Sequence, residues 1–402
     1  MARQTTGKTP ETLLEAVFRI VDSAARRIIS LAPLRRGVRN LMRSSHEGLI
    51  GWDHVREIAV ATLELQRDKP GPISVYMADQ YQNMLEAATG QIAAYTGLQA
   101  RGLPEAVEVF RQQDWIDANI VSFRFLFDPI SEKYVTTLEE LGTGDRARVH
   151  RVAHTLLTIQ VGIIVGYLAR NVLGQYDLSL PEPERGGRLY VVEPNVNRVE
   201  TEMSFHPRDF RQWITLHEVT HSFEFHCNGW LRDYLASSMQ EYLKTIDWKG
   251  MSRPEFFRNL RPSVIKGNDA IRAGGLISII ATPAQREILL RLQAVMCVLE
   301  GYSNHVMDHV GEELLQTYPT MKERFERRRE TKSGAERLFQ RLIGIDLKLQ
   351  QYKLGQEFVE AVVDQAGISF LNKVWEGPDR MPTMDEIGSP GAWIQRVEQL
   401  QP

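Results

Sequence analysis

Residues 207–229 read PRDFRQWITLHEVTHSFEFHCNG. Phe210, Trp213, Ile214 and Leu216 give the stretch an apolar face, so it is read as a helix that begins after Pro207 and stops at Asn228-Gly229. Within it, HEVTH sets His217 and His221 one turn apart on one side. Two imidazoles so placed can reach one metal ion at about 2.0–2.1 Å. Glu218 is rotated by about 100° from His217, so it is offset from the metal but within reach of a metal-bound water. Zinc lowers the pKa of such a water to about 7, and a carboxylate can then take its proton. The spacing therefore predicts two zinc ligands, His217 and His221, and a general base, Glu218.

A catalytic zinc usually has three protein ligands and an open position. His206, His226 and His309 are histidine candidates for the third. His226 lies five residues after His221 and points elsewhere, and no H-x-x-G-x-x-H continuation follows the motif. Glu300, in LEGYSNHVMD, is the stronger candidate. It sits beside the apolar stripe Ile288, Leu292, Val295, Leu299, Tyr302 and Val306, where a carboxylate is costly to bury unless paired or metal-bound. Gly301 follows it in mid-helix, at a cost of about 1 kcal/mol relative to Ala, which close packing would explain. Asn304, one turn beyond Glu300, is the expected partner for the ring N–H of a ligand histidine. Tyr302, His305, Arg232 and Tyr234 are available to touch the substrate or its transition state. Two other histidine pairs, His150/His154 and His305/His309, lack the adjacent glutamate and read as ordinary helix residues.

Most of the remaining chain reads as helix. Residues 11–34, 52–67, 70–97, 104–126 and 131–173 carry apolar residues at three- and four-residue spacing, with breaks at Pro33, Pro70, Gly97, Pro104 and Pro129. The texture changes at Gly174, where strand, turn and strand lead into RLYVV, 188–192. Thr282-Pro-Ala-Gln285 is a capping-box start for a helix expected to end near Val310. The expected organisation is an N-terminal helical region at 1–173, a catalytic region at 174–330 with an insertion at 236–281, and a C-terminal helical region and tail at 331–402. The fold class is mainly α, with a small β-hairpin or short sheet. The peptide substrate is expected along the strand ending near Val192.

The run PNVNRVETEMSFHPRDFRQWITLHEVTHSFEFHCNGWLRDYL, with LEGYSNHVMDHVG and MKERFERRR, resembles the bacterial Zincin-2 family of zinc-dependent metalloproteases. Its members are labelled as hydrolases associated with deazaflavin-coenzyme biosynthesis, a label that states no reaction. The resemblance implies a zincin-like core extended by N- and C-terminal helices. His217, His221 and Glu300 match the ligand positions and Glu218 the base. An acid usually sits four residues after the ligand glutamate; here that position is Asn304, an uncharged amide.

Composition limits the alternatives. The net charge of −3 over 402 residues gives no positive field for nucleic acid. Two cysteines, Cys227 and Cys297, make neither a disulfide framework nor a cysteine-rich zinc knot. No signal-peptide pattern and no uninterrupted apolar run of about 18 residues occurs, so a cytoplasmic protein without a membrane span is expected. The substrate class is a peptide or small amide. The rival reading is a zinc-binding scaffold whose site is weakened by Asn304.

Overall fold

The RLYVV run is the middle strand of a three-stranded sheet. A computed structural model of the protein describes residues 32–43, 48–64, 73–74, 76–99, 102–139, 143–178, 187–227, 229–245, 282–330 and 345–400. In chain order the elements are α1 (Ala32–Arg43), α2 (Trp52–Glu64), α3 (Met77–Thr96), β1 (Val107–Phe110), α4 (Gln112–Glu139), α5 (Thr143–Asn171), β2 (Gly174–Asp177) and β3 (Arg188–Val192). Then follow α6 (Glu193–Met203), α7 (Pro207–His226), α8 (Trp230–Lys244), α9 (Pro283–Leu314), α10 (Tyr318–Glu330), α11 (Ile345–Ala366), short turns, and α12 (Pro390–Gln399). The architecture is mainly helical with one small sheet, as expected.

The sheet order is β1-β3-β2. β1 pairs parallel with β3, Val107 opposite Leu189, and β2 pairs antiparallel, Gly174 opposite Val191. Two expectations are corrected here. Residues 107–110 form a strand inside a stretch read as helix, because their partner lies some eighty residues away and local spacing cannot register it. β3 is flanked on both sides, so its hydrogen-bonding groups are taken and a substrate cannot add along it; the sheet edges are β1 and β2. Residues 193–203, given no element in the sequence reading, are α6, and α4 continues through Pro129.

Two compact units are present. The first, from residues within 1–69 and 116–170, packs Leu34, Val38 and Leu41 of α1 on Ile58 and Ala61 of α2 and Ile159 of α5. Gly162 and Gly166 let α5 approach α2: an added Cβ would lie 2.7 Å from the Ile58 Cβ and 2.6 Å from the Ala59 carbonyl oxygen. By length and composition alone, Ala153–Asn171 could cross a membrane.

The second unit, from residues within 70–115, 171–246 and 260–402, holds the sheet and the helices from α6 onward. Its core joins Phe210, Ile214, Val219 and Phe223 of α7 to Leu85 and Ile92 of α3 and to Val295, Leu299 and Val306 of α9. A buried ion pair ties α6 to α7: Arg211 Nη2 lies 2.8 Å from Glu193 Oε1, and Arg211 also binds Glu200. Tyr81 donates to the same Glu193 carboxylate at 2.7 Å. α9 starts with the expected capping box, Gln285 N–H to Thr282 Oγ1 at 3.2 Å and Thr282 N–H to Gln285 Oε1 at 2.8 Å. It runs past its expected end at Gly311, which gives room to the Tyr318 ring instead of stopping the helix. Residues 11–31 of the helix expected at 11–34, and the expected insertion beyond residue 245, lie outside the described residues; 236–244 continue α8.

Gly301 has the close contact that its mid-helix position implied. A Cβ there would lie 2.3 Å from the backbone carbonyl of Gly355 in α11, and one on Gly355 would lie 1.9 Å from the Cys297 carbonyl oxygen. Gly301→Ala is therefore expected to destabilise the protein by about 1–3 kcal/mol. Gly90→Ala, in α3 with nothing within 4 Å, should be neutral or stabilising by up to about 1 kcal/mol. Urea midpoints followed by far-ultraviolet circular dichroism check both, and equal midpoints for the two variants would contradict the backbone contact.

Candidate metal centre

His217 and His221 project from one side of α7 with their rings edge to face, centroids 4.6 Å apart. Their Nε2 atoms are 3.2 Å apart. α9 brings Glu300 to the same place, its Oε2 3.9 Å from His217 Nε2. Among the described residues these three form the one group of His, Cys, Asp and Glu that could hold a metal ion, with ligand atoms all within 4.8 Å of one another.

The donor set fits zinc. Two nitrogens bound at about 2.05 Å with a tetrahedral angle are about 3.3 Å apart, close to the 3.2 Å between the imidazoles. Charge points the same way. Glu218, Glu224 and Glu300 are all buried around two histidines, and buried carboxylates need compensating positive charge. Burial opposes a charge on His221, yet Glu224, then Glu300 and Glu218, lift its pKa to about 9. Burial pushes Glu224 up to about 7, against the pull of His221 and Ser303. A divalent cation in this field is favoured by the same carboxylates.

The far side of each ring is also engaged. His221 Nδ1 is 2.7 Å from Glu224 Oε2 and 3.1 Å from Ser303 Oγ, and the Ser303 hydroxyl donates to Glu224 Oε1 at 3.2 Å. His217 Nδ1 lies 2.9 Å from Met307 Sδ. Such partners fix which ring nitrogen is left for the metal. Glu218 turns toward β2, where its Oε2 accepts the Tyr176 main-chain N–H at 2.9 Å.

His217, Glu218, His221 and Glu300 are thus brought together. Asn304 is half-buried on α9, while Glu224, Ser303 and Met307 hold the histidine nitrogens. Tyr302 is buried on another side of α9, its hydroxyl donating to Asn372 Oδ1 at 2.8 Å. His305 Nε2 is 2.7 Å from the Tyr95 hydroxyl, and His309 stacks on the Tyr95 ring at 4.4 Å. Arg232 stands by Tyr176, opposing the burial that pushes this phenol up to about 12. Tyr234 packs edge-on against Trp230 at 5.6 Å. His226 Nε2 pairs with the Tyr176 hydroxyl at 2.8 Å, and His206 is exposed at the α7 N-cap. In the first unit, His154 Nδ1 donates to the Gly48 carbonyl at 3.0 Å.

Sequence reasoning missed Glu224, Ser303 and Met307. The signal for Glu224 was present: it lies three residues after His221, on the same flank of the helix.

Comparison with known proteins agrees with this geometry. The family model described as zincin-like metallopeptidase matches residues 50–394. A crystal structure from Chloroflexus aurantiacus, described as a candidate hydrolase with a novel fold, is 35% identical, with a TM-score of 0.64, covering 88% of this chain and 100% of that one. No curated protein matches the chain.

Glu224→Gln keeps the side-chain shape but removes its charge from His221. It is expected to weaken zinc binding about 10- to 100-fold. Competition with a chromophoric chelator measures this, and unchanged affinity would show that Glu224 does not support the ligand.

Proposed function

Because the chain belongs to the zincin-like metallopeptidase family, we propose that it is a zinc-dependent peptidase using Glu218 as general base. The observation that carries this reading is the convergence of His217, His221 and Glu300 from two helices beside a buried glutamate. The chemistry that zinc supplies when held by these residues is Lewis acidity, which brings the pKa of water to about 7 and polarises a carbonyl.

The protein's own groups do the rest. Glu218 accepts a proton from the attacking water as the water oxygen bonds to the carbonyl carbon. The C–N bond then breaks, and Glu218 returns that proton to the leaving amine. One water is consumed, and one carboxyl and one amino group are released. Glu224 and Ser303 hold the His221 ring in place.

In Glu218→Gln, zinc content should stay at that of the unaltered protein while cleavage of a fluorogenic peptide library falls by about 10²- to 10⁴-fold. Zinc by elemental analysis and cleavage by fluorescence are read on the same preparations. Retained cleavage would remove Glu218 from the mechanism. Full zinc loading with no cleavage by the unaltered protein would make this a binding module instead.

A further inference from the structure

The base does not hang in an open cleft; it is built into the edge of the sheet. In the β2–β3 ladder, Val192 donates its N–H to the Leu173 carbonyl at 2.8 Å. Antiparallel pairing alternates, so the Gln175/Tyr190 pair exchanges hydrogen bonds next. The main-chain groups of Gly174 and Tyr176 then face away from β3. It is the outward N–H of Tyr176 that Glu218 Oε2 accepts at 2.9 Å.

Gly174 is two residues earlier on the same face of the strand. A Cβ on it would lie 2.8 Å from Glu218 Cγ, 3.1 Å from Glu218 Oε1 and 3.1 Å from Ile214 Cγ2. The first contact falls on the stem of the glutamate, not its flexible tip, and Ile214 of α7 closes the same space. Any side chain at residue 174 therefore displaces Glu218.

The strand is also anchored further along α7. The Tyr176 ring stacks on Phe225 at 5.8 Å, and its hydroxyl lies 2.8 Å from His226 Nε2. A Cβ on Gly187 would lie 1.8 Å from that hydroxyl, so this seat too requires a glycine. Two contacts about two helical turns apart, at Glu218 and His226, fix β2 against the helix that carries both ligand histidines.

We propose that the outer edge of β2 positions the base: Gly174 by its missing side chain, and Tyr176 by a main-chain N–H that holds one carboxylate oxygen and assigns the other to proton transfer. Gly174 and Tyr176 are positioning residues, acting through Glu218. For its kinetics the proposal rests on the peptidase reading; for its geometry it does not.

Two measurements test it. Residue-resolved amide exchange is compared between the unaltered protein and Glu218→Ala. The Tyr176 amide should exchange about tenfold faster or more in the variant, while the Gln175 amide, bonded to β3, keeps its rate. Equal Tyr176 rates would overturn the proposal whether or not any peptide is cleaved. If the unaltered protein cleaves nothing, the peptidase reading fails and the exchange result still decides the clamp. Where it does cleave, Gly174→Ala should lower kcat about 10- to 100-fold with KM changed by less than about threefold and zinc content unchanged. Glu218→Ala removes the Cγ that the new methyl would meet, so Gly174→Ala should lower the urea midpoint less in that background than in the unaltered protein. Equal shifts in the two backgrounds, or loss of zinc with Gly174→Ala, would show a general structural defect and overturn the positioning role.

Discussion

Three carboxylates, those of Glu218, Glu224 and Glu300, are buried within reach of two imidazoles. Burying an ionised carboxylate costs several kcal/mol unless an opposite charge or hydrogen bonds offset it. Each of the three has its own remedy. Glu218 accepts a main-chain N–H from β2, Glu224 faces His221 and Ser303, and Glu300 faces His217. The raised pKa of His221 is the visible result of this field. A dication answers it more fully than a protonated imidazole, and it uses the two Nε2 atoms that already point at one place. The charge balance of the site and its ligand geometry thus lead to the same conclusion by separate routes.

The rest of the second unit keeps these groups at their distances. α9 crosses α11 with backbone against backbone at Gly301 and Gly355, and Glu300 is the residue beside that crossing. The depth of Glu300 is therefore set by main-chain contact, which gives little, and not by side-chain packing, which can adjust. α7 is fixed by polar means near its start, through Arg211 between Glu193 and Glu200. Its middle is fixed by the apolar face shared with α3 and α9. β2 lies along it from Glu218 to His226.

What could be read from the sequence was what local spacing encodes. HEVTH needs only the helical repeat, and Thr282 to Gln285 needs only the capping pattern. Glu300 was reachable because a carboxylate beside an apolar stripe, next to a mid-helix glycine, is improbable without a purpose. The partner of the candidate ligand histidine was expected on α9 at Asn304, and Ser303 is the α9 residue that meets His221; which of two neighbouring residues does so depends on how α7 and α9 dock, and local spacing does not encode that. β1 was illegible for a different reason. Its four residues pair with a strand some eighty residues away, and nothing within 104–126 carries that information. The inward-facing contacts of Tyr302 and His305 were equally hidden, since an apolar stripe does not say which neighbour will cover it.

Glu224 bears on the departure at Asn304. In the resembled class the supporting acid follows the ligand glutamate, so its contact with a histidine depends on how two helices dock. Here the acid lies three residues after His221 on α7 itself, and the 2.7 Å contact is set by the geometry of a single helix. The closest carboxylate partner of His221 is then supplied within α7, while Glu300 of α9 adds to its basicity and Ser303 of α9 touches the same ring. Ser303 adds a hydrogen bond from α9 to that pair but supplies no charge. Although residue 304 is uncharged, His221 therefore has a carboxylate partner on its own helix. Docking of α9 is left with one electrostatic task, the delivery of Glu300, and the Gly301–Gly355 crossing is built for that precision.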